Sequence, residues 1–299
     1  MASTEARQLS PHVVVLGGER GGKYPDGSSL LVVGSEEALI VDPSLSVAAA
    51  TEPPRVDRVV NSHCHEDHVA GNHRFPDVPW HFHALDLPGI RSLDGMMAIY
   101  GFDAATDAAF RRVVVDDFHW TARPDAVAYG DDDVFDLGGV RVRAIHAPGH
   151  TRGHCVLAIE PDGVLYLGDI DLSSFGPYYG DAWSSLDDFT RTLARVREID
   201  ARWYATFHHV GIIEGRTAFL ARLDRFAAVI DDRERRLLAF LDVPRTLNEI
   251  AIHRFVYRPG DPVAYADAVE RRSMSQHLAR LARQGRVREA EPARWLATT

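Results

Sequence analysis

The chain has 299 residues, 45% of them hydrophobic, and a formal net charge of -10. That length suits one large domain or two ordinary ones with a substantial core, and the acidic balance speaks against a protein that coats nucleic acid non-specifically. Two cysteines, Cys64 and Cys155, are too few for a disulfide framework and suit a reducing cytoplasm, while no apolar run approaches the roughly eighteen residues of a spanning helix and the N-terminal stretch lacks the basic-then-apolar order of a secretory signal.

In chain order, "HVVVLGG", "SSLLVVG" and "EALIVDP" read as successive short strands joined by tight turns. "VDRVVNSH" is a further strand that runs into "NSHCHEDHVAGN" (61–72). Later strands are "VRVRAIHAPGH", "CVLAIEP", "VLYLGDI" and "RWYATFHH". Between them "SLDDFTRTLARVREID" (185–200) carries a serine cap, acids in its first turn and apolar residues at helical spacing. This alternation predicts an α/β arrangement with chemistry at strand ends. Near Asp231 the pattern changes to helix, proline-bearing turn, short helix, a long helix closed by Gly285, and a hairpin in "RVREAEPARWLA". That outline is a winged helix. The predicted division is 1–228 for a catalytic domain and 229–299 for a small winged-helix-like domain, which has a slight excess of arginine over acid.

Chemistry concentrates at four strand ends. His63 and His65 are two apart, so in extended backbone both imidazoles face the same way and can share one metal. Asp67 and His68 follow in the turn and can face a second one; imidazole nitrogen and carboxylate oxygen suit divalent metals such as zinc. "APGHTRGH" turns out of its strand at Pro148-Gly149 and presents His150. "VLYLGDID" ends an apolar strand on Gly168-Asp169, a poor place for an acid without a cation. "WYATFHH" ends on His208 and His209. Cys64 faces away from the flanking histidines by alternation and reads as a packing residue, as does Cys155. His154 is the best candidate to orient a ligand without touching metal.

Taken together, HxHxDH (His63, His65, Asp67, His68), a separate His150, Gly168-Asp169 and a last histidine resemble the metallo-β-lactamase-fold superfamily over about residues 10 to 225. The resemblance implies an αββα sandwich with two divalent metal ions at one edge, zinc first and iron or manganese as the other choices. It implies that His63, His65 and His150 hold one metal and that Asp67, His68 and His208 (or His209) hold the other, with Asp169 bridging. It also implies a metal-bridging hydroxide as nucleophile, which Asp67 orients or relieves of a proton. "DPSLS" (42–46) departs from the family's usual Asp-Thr-Gly, although Asp42 keeps the acid.

The substrate is less legible. "LDGMMAIYGF" (93–102) and "SSFGPYYGDAW" (173–183) are rich in Met and aromatic residues and lie between the ligand-bearing segments. They read either as packing or as a pocket wall, with Tyr178 and Tyr179 as candidates to contact substrate. The expected partner is a small ester, thioester or lactone, with no membrane contact; the oligomeric state is open. A second branch of the resemblance is an endoribonuclease or phosphodiesterase, which would use Arg271, Arg272, Arg280, Arg283 and Arg286 of the long helix on nucleic acid. A third is an iron-dependent oxygenase or redox protein on the same ligands.

Overall fold

A computed structural model describes residues 6–298. Strands β1 (Ala6–Gln8), β2 (Val13–Leu16), β3 (Ser29–Val33), β4 (Ala38–Val41), β5 (Arg58–Val60), β6 (Trp80–His83) and β7 (Val127–Tyr129) pair in that order to form one sheet. Pairing is antiparallel as far as β4 and parallel beyond it. A second sheet has the order β13-β12-β11-β10-β9-β8, built from β8 (Val134–Asp136), β9 (Arg141–His146), β10 (Cys155–Glu160), β11 (Val164–Tyr166), β12 (Trp203–Ala205) and β13 (Ile212–Glu214). Within it only β11 and β12 are parallel.

Side-chain alternation along the strands decides the layers. Leu39 and Val41 of β4 enter the core between the sheets, together with Val142, Leu157 and Tyr166 of the second sheet. Ile40, between them in sequence, faces outward and joins Val47, Ile90, Met96 and Ile99. Those residues come from the helices over the first sheet: α2 (Leu45–Ala49), α3 (Leu87–Arg91) and α4 (Leu93–Tyr100), followed by α5 (Ala104–Arg112); α1 (Glu19–Gly22) is only an irregular turn. On the far side, α6 (Leu186–Arg197) is capped by Ser185 and buries Leu186, Phe189, Leu193 and Val196. Their spacing of three and four forms one helix face. They pack with α7 (Arg216–Phe240) over Val156, Leu165 and Tyr204. The result is helix, sheet, sheet, helix, as the resemblance implies. Each fully buried Leu, Ile or Phe in these layers contributes about 1.5–3 kcal/mol relative to an exposed one.

Helix α7 runs unbroken through residues 228 and 229. Its first half places Phe219, Leu223, Phe226 and Ile230 against the second sheet. Leu237 then joins a separate core with Leu241, Ile250, Phe255, Met274 and Leu278. The change of composition near Asp231 therefore coincides with a change in what one helix packs against. Beyond it come β14 (Arg245–Thr246), α8 (Leu247–His253), α9 (Ala266–Arg283), β15 (Val287–Glu291) and β16 (Arg294–Ala297), with a three-stranded sheet in the order β14-β16-β15. A reciprocal Thr246–Glu249 capping box starts α8. No helix among the described residues is long and apolar enough to cross a membrane.

Candidate metal centre

The candidate ligands all follow the C-terminal ends of strands at one mouth of the sandwich. His63, His65, Asp67 and His68 follow β5; His150 follows β9; Asp169 follows β11; His208 follows β12. Two glycines allow the chain to leave its strand there. Gly149 has φ +129°, and a Cβ on it would sit 2.3 Å from the backbone nitrogen of Phe189. Gly168 has φ +53°, and a Cβ would lie 2.7 Å from Nε2 of His154. A side chain at either position would displace the His150 or Asp169 that follows it.

Two groups of donor atoms converge. In the first, Nε2 of His63 and Nε2 of His150 lie 3.1 and 2.9 Å from Nδ1 of His65. Oδ2 of Asp169 is 3.1 Å from Nε2 of His150. In the second, Oδ2 of Asp67 is 2.8 Å from Nε2 of His208, and Oδ1 of Asp169 is 2.8 Å from Nε2 of His68. The two oxygens of Asp169 thus face different groups. His209, with φ +54°, lies outside both groups, which contain only His208 from this strand end.

The donor set fits divalent metals. A tetrahedral ion with ligand bonds of 2.0–2.1 Å separates its ligands by roughly 3.3 Å, close to the spacings of the first group. Every ring nitrogen turned away from the groups has an acceptor beside it. Nδ1 of His68 meets Oδ2 of Asp42 at 2.8 Å, and Nδ1 of His63 meets the Ser62 hydroxyl at 3.1 Å. Nδ1 of His150 meets the Tyr178 carbonyl at 3.1 Å, and Nδ1 of His208 meets the Asp26 carbonyl at 2.9 Å. Nε2 of His65 lies 3.2 Å from Asp181, without hydrogen-bond alignment. Placing each N–H on the outer nitrogen leaves a lone pair pointing inward, the tautomer a metal needs.

Electrostatics within the cluster are strongly perturbed. Burial alone lowers the pKa of His208, but the Asp169 and Asp67 carboxylates outweigh it and raise it to about 9. Burial likewise opposes the charged form of His65, yet Asp181 lifts it to about 9. Burial, reinforced by the neighbouring imidazoles, pushes His63 well below its ordinary value. For Asp169, burial is overcome by His68, His150 and His208, which hold the carboxyl well below the usual range. One buried cluster that needs both cationic and neutral imidazoles is a site where a metal ion removes a conflict.

Three carboxylates that support the ligands had weak signals in the sequence. Asp42, at φ +45° after β4, accepts from Ser62 N (2.7 Å), His68 Nδ1 and the Tyr166 hydroxyl (2.8 Å). Its signal in the sequence was an acid after an apolar strand, in the turn where the family has Asp-Thr-Gly. Asp86 joins the two ligand loops, accepting from Cys64 N (3.2 Å), Thr151 Oγ1 (2.7 Å) and Gly153 N (2.7 Å). Asp181 sits in a segment notable only for its aromatics. His154, the best of the remaining histidines for an orienting role, bonds the Ala147 carbonyl through Nδ1 at 3.0 Å, and its Nε2 accepts from the Asp169 backbone N–H at 3.2 Å. Burial lowers its pKa to about 3, which keeps Nε2 an acceptor. Cys64 and Cys155 are buried packing residues.

The reading of the tyrosines needs correction. Tyr179 does not face the site: its hydroxyl lies 2.9 Å from both Arg233 Nη1 and His277 Nε2, and its ring is buried against the C-terminal helices. Tyr178 does line the cavity over the ligands, but its hydroxyl donates to Asp181 Oδ1 at 3.0 Å, so that proton is not free for a substrate oxyanion. Of the two aromatic segments, Tyr100, Phe102, Phe175 and Tyr178 line the cavity, whereas Met96 and Met97 pack in the core.

Comparison with known proteins places these features in context. The pattern that describes the metallo-beta-lactamase superfamily matches residues 24–228. An atrochrysone carboxyl ACP thioesterase from Paecilomyces divaricatus is 24% identical over 209 residues, 66% of this chain and 54% of that protein. The chain spans about half the length of the thioesterases it matches. A hydroxyacylglutathione hydrolase from Methylococcus capsulatus is 28% identical over 240 residues, 77% of this chain and 80% of that protein. Among solved structures, a metallo-beta-lactamase family protein from Thermus thermophilus superposes with a TM-score of 0.71 at 24% identity, covering 97% of this chain and 100% of that one.

Proposed function

The chain belongs to the metallo-beta-lactamase superfamily, and from that membership we propose that it is a dinuclear metal-dependent hydrolase of a small ester, thioester or lactone. The observation that carries the reading is the carboxylate of Asp169. Its Oδ2 faces His150 of one donor group at 3.1 Å, and its Oδ1 faces His68 of the other at 2.8 Å. His63, His65 and His150 would hold one ion, Asp67, His68 and His208 the other, with zinc the first choice for this nitrogen-rich set. When bound, such a pair supplies a water acidic enough to act as nucleophile near neutral pH and a Lewis acid for the carbonyl under attack.

The chain's own residues do the rest. Asp67 is buried beside His208 and opens onto the cavity, so its carboxylate can orient the attacking water and carry a proton to the leaving group. Asp42 fixes the ring plane of His68, Asp181 places a carboxylate 3.2 Å from His65 Nε2, and His154 holds the backbone of Asp169. The curated relatives support the substrate class, since one is named a thioesterase and another a hydroxyacylglutathione hydrolase.

Nucleic acid is the less supported substrate. The arginines expected to read it are engaged within the chain. Arg272 donates to the carbonyls of Tyr100 and Gly101, Arg280 to Thr190 Oγ1 at 3.2 Å, and Arg271 to Asn248 at 3.0 Å. Arg283 pairs with Asp187, and Arg286 lies 3.6 Å from Glu234. The test of the dinuclear reading is metal stoichiometry. After dialysis against zinc the protein is expected to retain two ions per chain and Asp169→Ala one or none; a single ion in the parent would overturn it.

A further inference from the structure

The donor groups form the floor of a cavity of about 420 Å³. A larger, more open groove of about 1080 Å³ runs past residues 17–21, but none of the clustered ligands lines it. The smaller cavity is therefore where a substrate meets the ligands, and its walls define what enters.

Those walls are aromatic, and the rings form a continuous run. The His65 ring stacks on Tyr100 at 5.4 Å, Tyr100 on Phe102 at 5.5 Å, and Phe102 on Tyr265 at 5.5 Å. Phe110 packs edge-on against Tyr100, at 4.8 Å. Across the opening, Phe175 meets Tyr257 at 5.7 Å. Tyr257 and Tyr265 belong to the segment between α8 and α9, so the C-terminal part of the chain supplies the far wall. That segment is pinned. The buried carboxylate of Glu270 accepts the backbone N–H groups of Phe255, Val256 and Tyr257 at 3.0, 2.9 and 2.8 Å. Arg272 of α9 grips the chain at Tyr100 and Gly101 from the other side.

Charge is the second observation. Among the described residues no arginine or lysine lines this cavity, while Glu66, Asp171 and Asp181 do, in addition to the acids among the ligands. Glu66 is already engaged by the hydroxyls of Tyr24 and Tyr100. An anionic group on the substrate would enter next to these acids, lose its hydration and find no arginine or lysine. A flat uncharged ring would enter among aromatic side chains from both the N-terminal and the C-terminal parts of the chain.

We propose that this cavity selects an uncharged, aromatic group on the substrate, and that Tyr257 and Tyr265 of the C-terminal segment are specificity-determining residues for it. The proposal rests on the hydrolase reading for its reaction but not for its recognition. It excludes acyl groups that carry a carboxylate or phosphate, and it gives the C-terminal segment a direct part in substrate choice.

The experiment uses the full chain and three thioesters of one small neutral thiol, with acetyl, phenylacetyl or succinyl as acyl group. With zinc-loaded protein, kcat/KM for phenylacetyl is expected to exceed that for succinyl by roughly 10–200-fold, the range a shaped pocket achieves. Tyr265→Ala should remove most of the advantage of phenylacetyl over acetyl, chiefly through KM. Val263→Arg, which puts a guanidinium into the same wall, should move the preference towards succinyl. Equal turnover of succinyl and phenylacetyl, or equal losses on acetyl and phenylacetyl in Tyr265→Ala, would overturn the proposal. Calorimetric binding of the uncleavable thioether analogues to metal-free protein separates recognition from chemistry. Tighter binding of the phenylacetyl-type analogue without cleavage of any thioester would uphold the cavity and reject thioester hydrolysis as its reaction; no preference between the analogues would reject the cavity's selectivity.

Discussion

The floor of the cavity takes its side chains from residues directly after β5, β9, β11 and β12, whereas its walls gather rings from α4, α5, three loops and the segment before α9. On the floor, His63, His68, His150 and His208 are each held twice, by neighbours in the cluster and by an acceptor behind the ring, and His65 has Asp181 3.2 Å behind it. Along the walls, rings touch rings; the segment beneath Tyr257 is tied by Glu270, and the hydroxyls of Tyr24, Tyr100 and Tyr178 are tied by Glu66 and Asp181. Reactive atoms must be fixed to within a fraction of an ångström, which demands hydrogen bonds from rigid strand ends. A surface that excludes water and accepts a ring needs area and shape, which distant segments can supply through packing. Floor substitutions should therefore change whether the reaction occurs, and wall substitutions which molecule undergoes it.

The sharpest way to break this contrast is Asp169→Ala. It removes the carboxylate that faces both donor groups, so hydrolysis should fall to background on every substrate while far-ultraviolet circular dichroism stays that of the parent. Activity within a few-fold of the parent would erase the distinction between floor and wall. His208→Ala should come next, losing the second metal, whereas His209→Ala keeps it; elemental analysis of both variants after dialysis decides. Loss in His209→Ala alone would move the strand-end ligand by one residue.

Asp42→Ala tests the support behind the floor. It strands His68 Nδ1, Ser62 N and the Tyr166 hydroxyl in a dry interior, and breaking a buried pair of this kind costs about 3–5 kcal/mol. Chemical denaturation of the metal-free protein should show that loss, and metal affinity should drop roughly 10–100-fold. Unchanged affinity would mean that the ring of His68 is fixed without its carboxylate.

A smaller, pH-dependent effect follows from the cluster's charges. In the metal-free protein the pKa values of His65 and His208 are raised to about 9, by Asp181 and by Asp169 with Asp67, against the opposing effect of burial. Folded values above the ordinary imidazole value of about 6.5 mean that these pairs stabilise fully below about pH 6.5. That contribution is lost as pH rises through about 9. The melting temperature of metal-free protein should therefore fall over that interval and that of zinc-loaded protein should not, because the ion has displaced the protons. Parallel curves for the two forms would contradict the assignment of these histidines as ligands.

The same contrast explains what the sequence made legible. His63, His150, Asp169 and the pair His208-His209 stood out because each follows an apolar strand, where an unpaired acid or imidazole is costly unless something binds it, and His65, Asp67 and His68 stood out through the HxHxDH spacing and its resemblance. Helix α6 was legible in its three-and-four spacing, whereas the layer order came only from the resemblance, because ALIV of β4 is apolar at every position and does not say which residues face which layer. Tyr100, Tyr257 and Tyr265 were not separable from ordinary core rings, since nothing in their local pattern says which loops meet. Tyr179 misled for the same reason: beside Tyr178 in the chain, it turns the other way, to Arg233 and His277. Asp42 was noticed only as an acid in a displaced turn motif, because its partners Ser62, His68 and Tyr166 come from two other strand ends.

The most direct test of the account is a single panel offered to zinc-loaded protein: an acyl thioester, a lactone and a single-stranded RNA, with Asp169→Ala as control. The account predicts turnover of the thioester or the lactone, lost in the control, and no cleavage of the RNA. Cleavage of RNA alone would contradict it and make Arg271, Arg272, Arg280, Arg283 and Arg286 the next residues to replace.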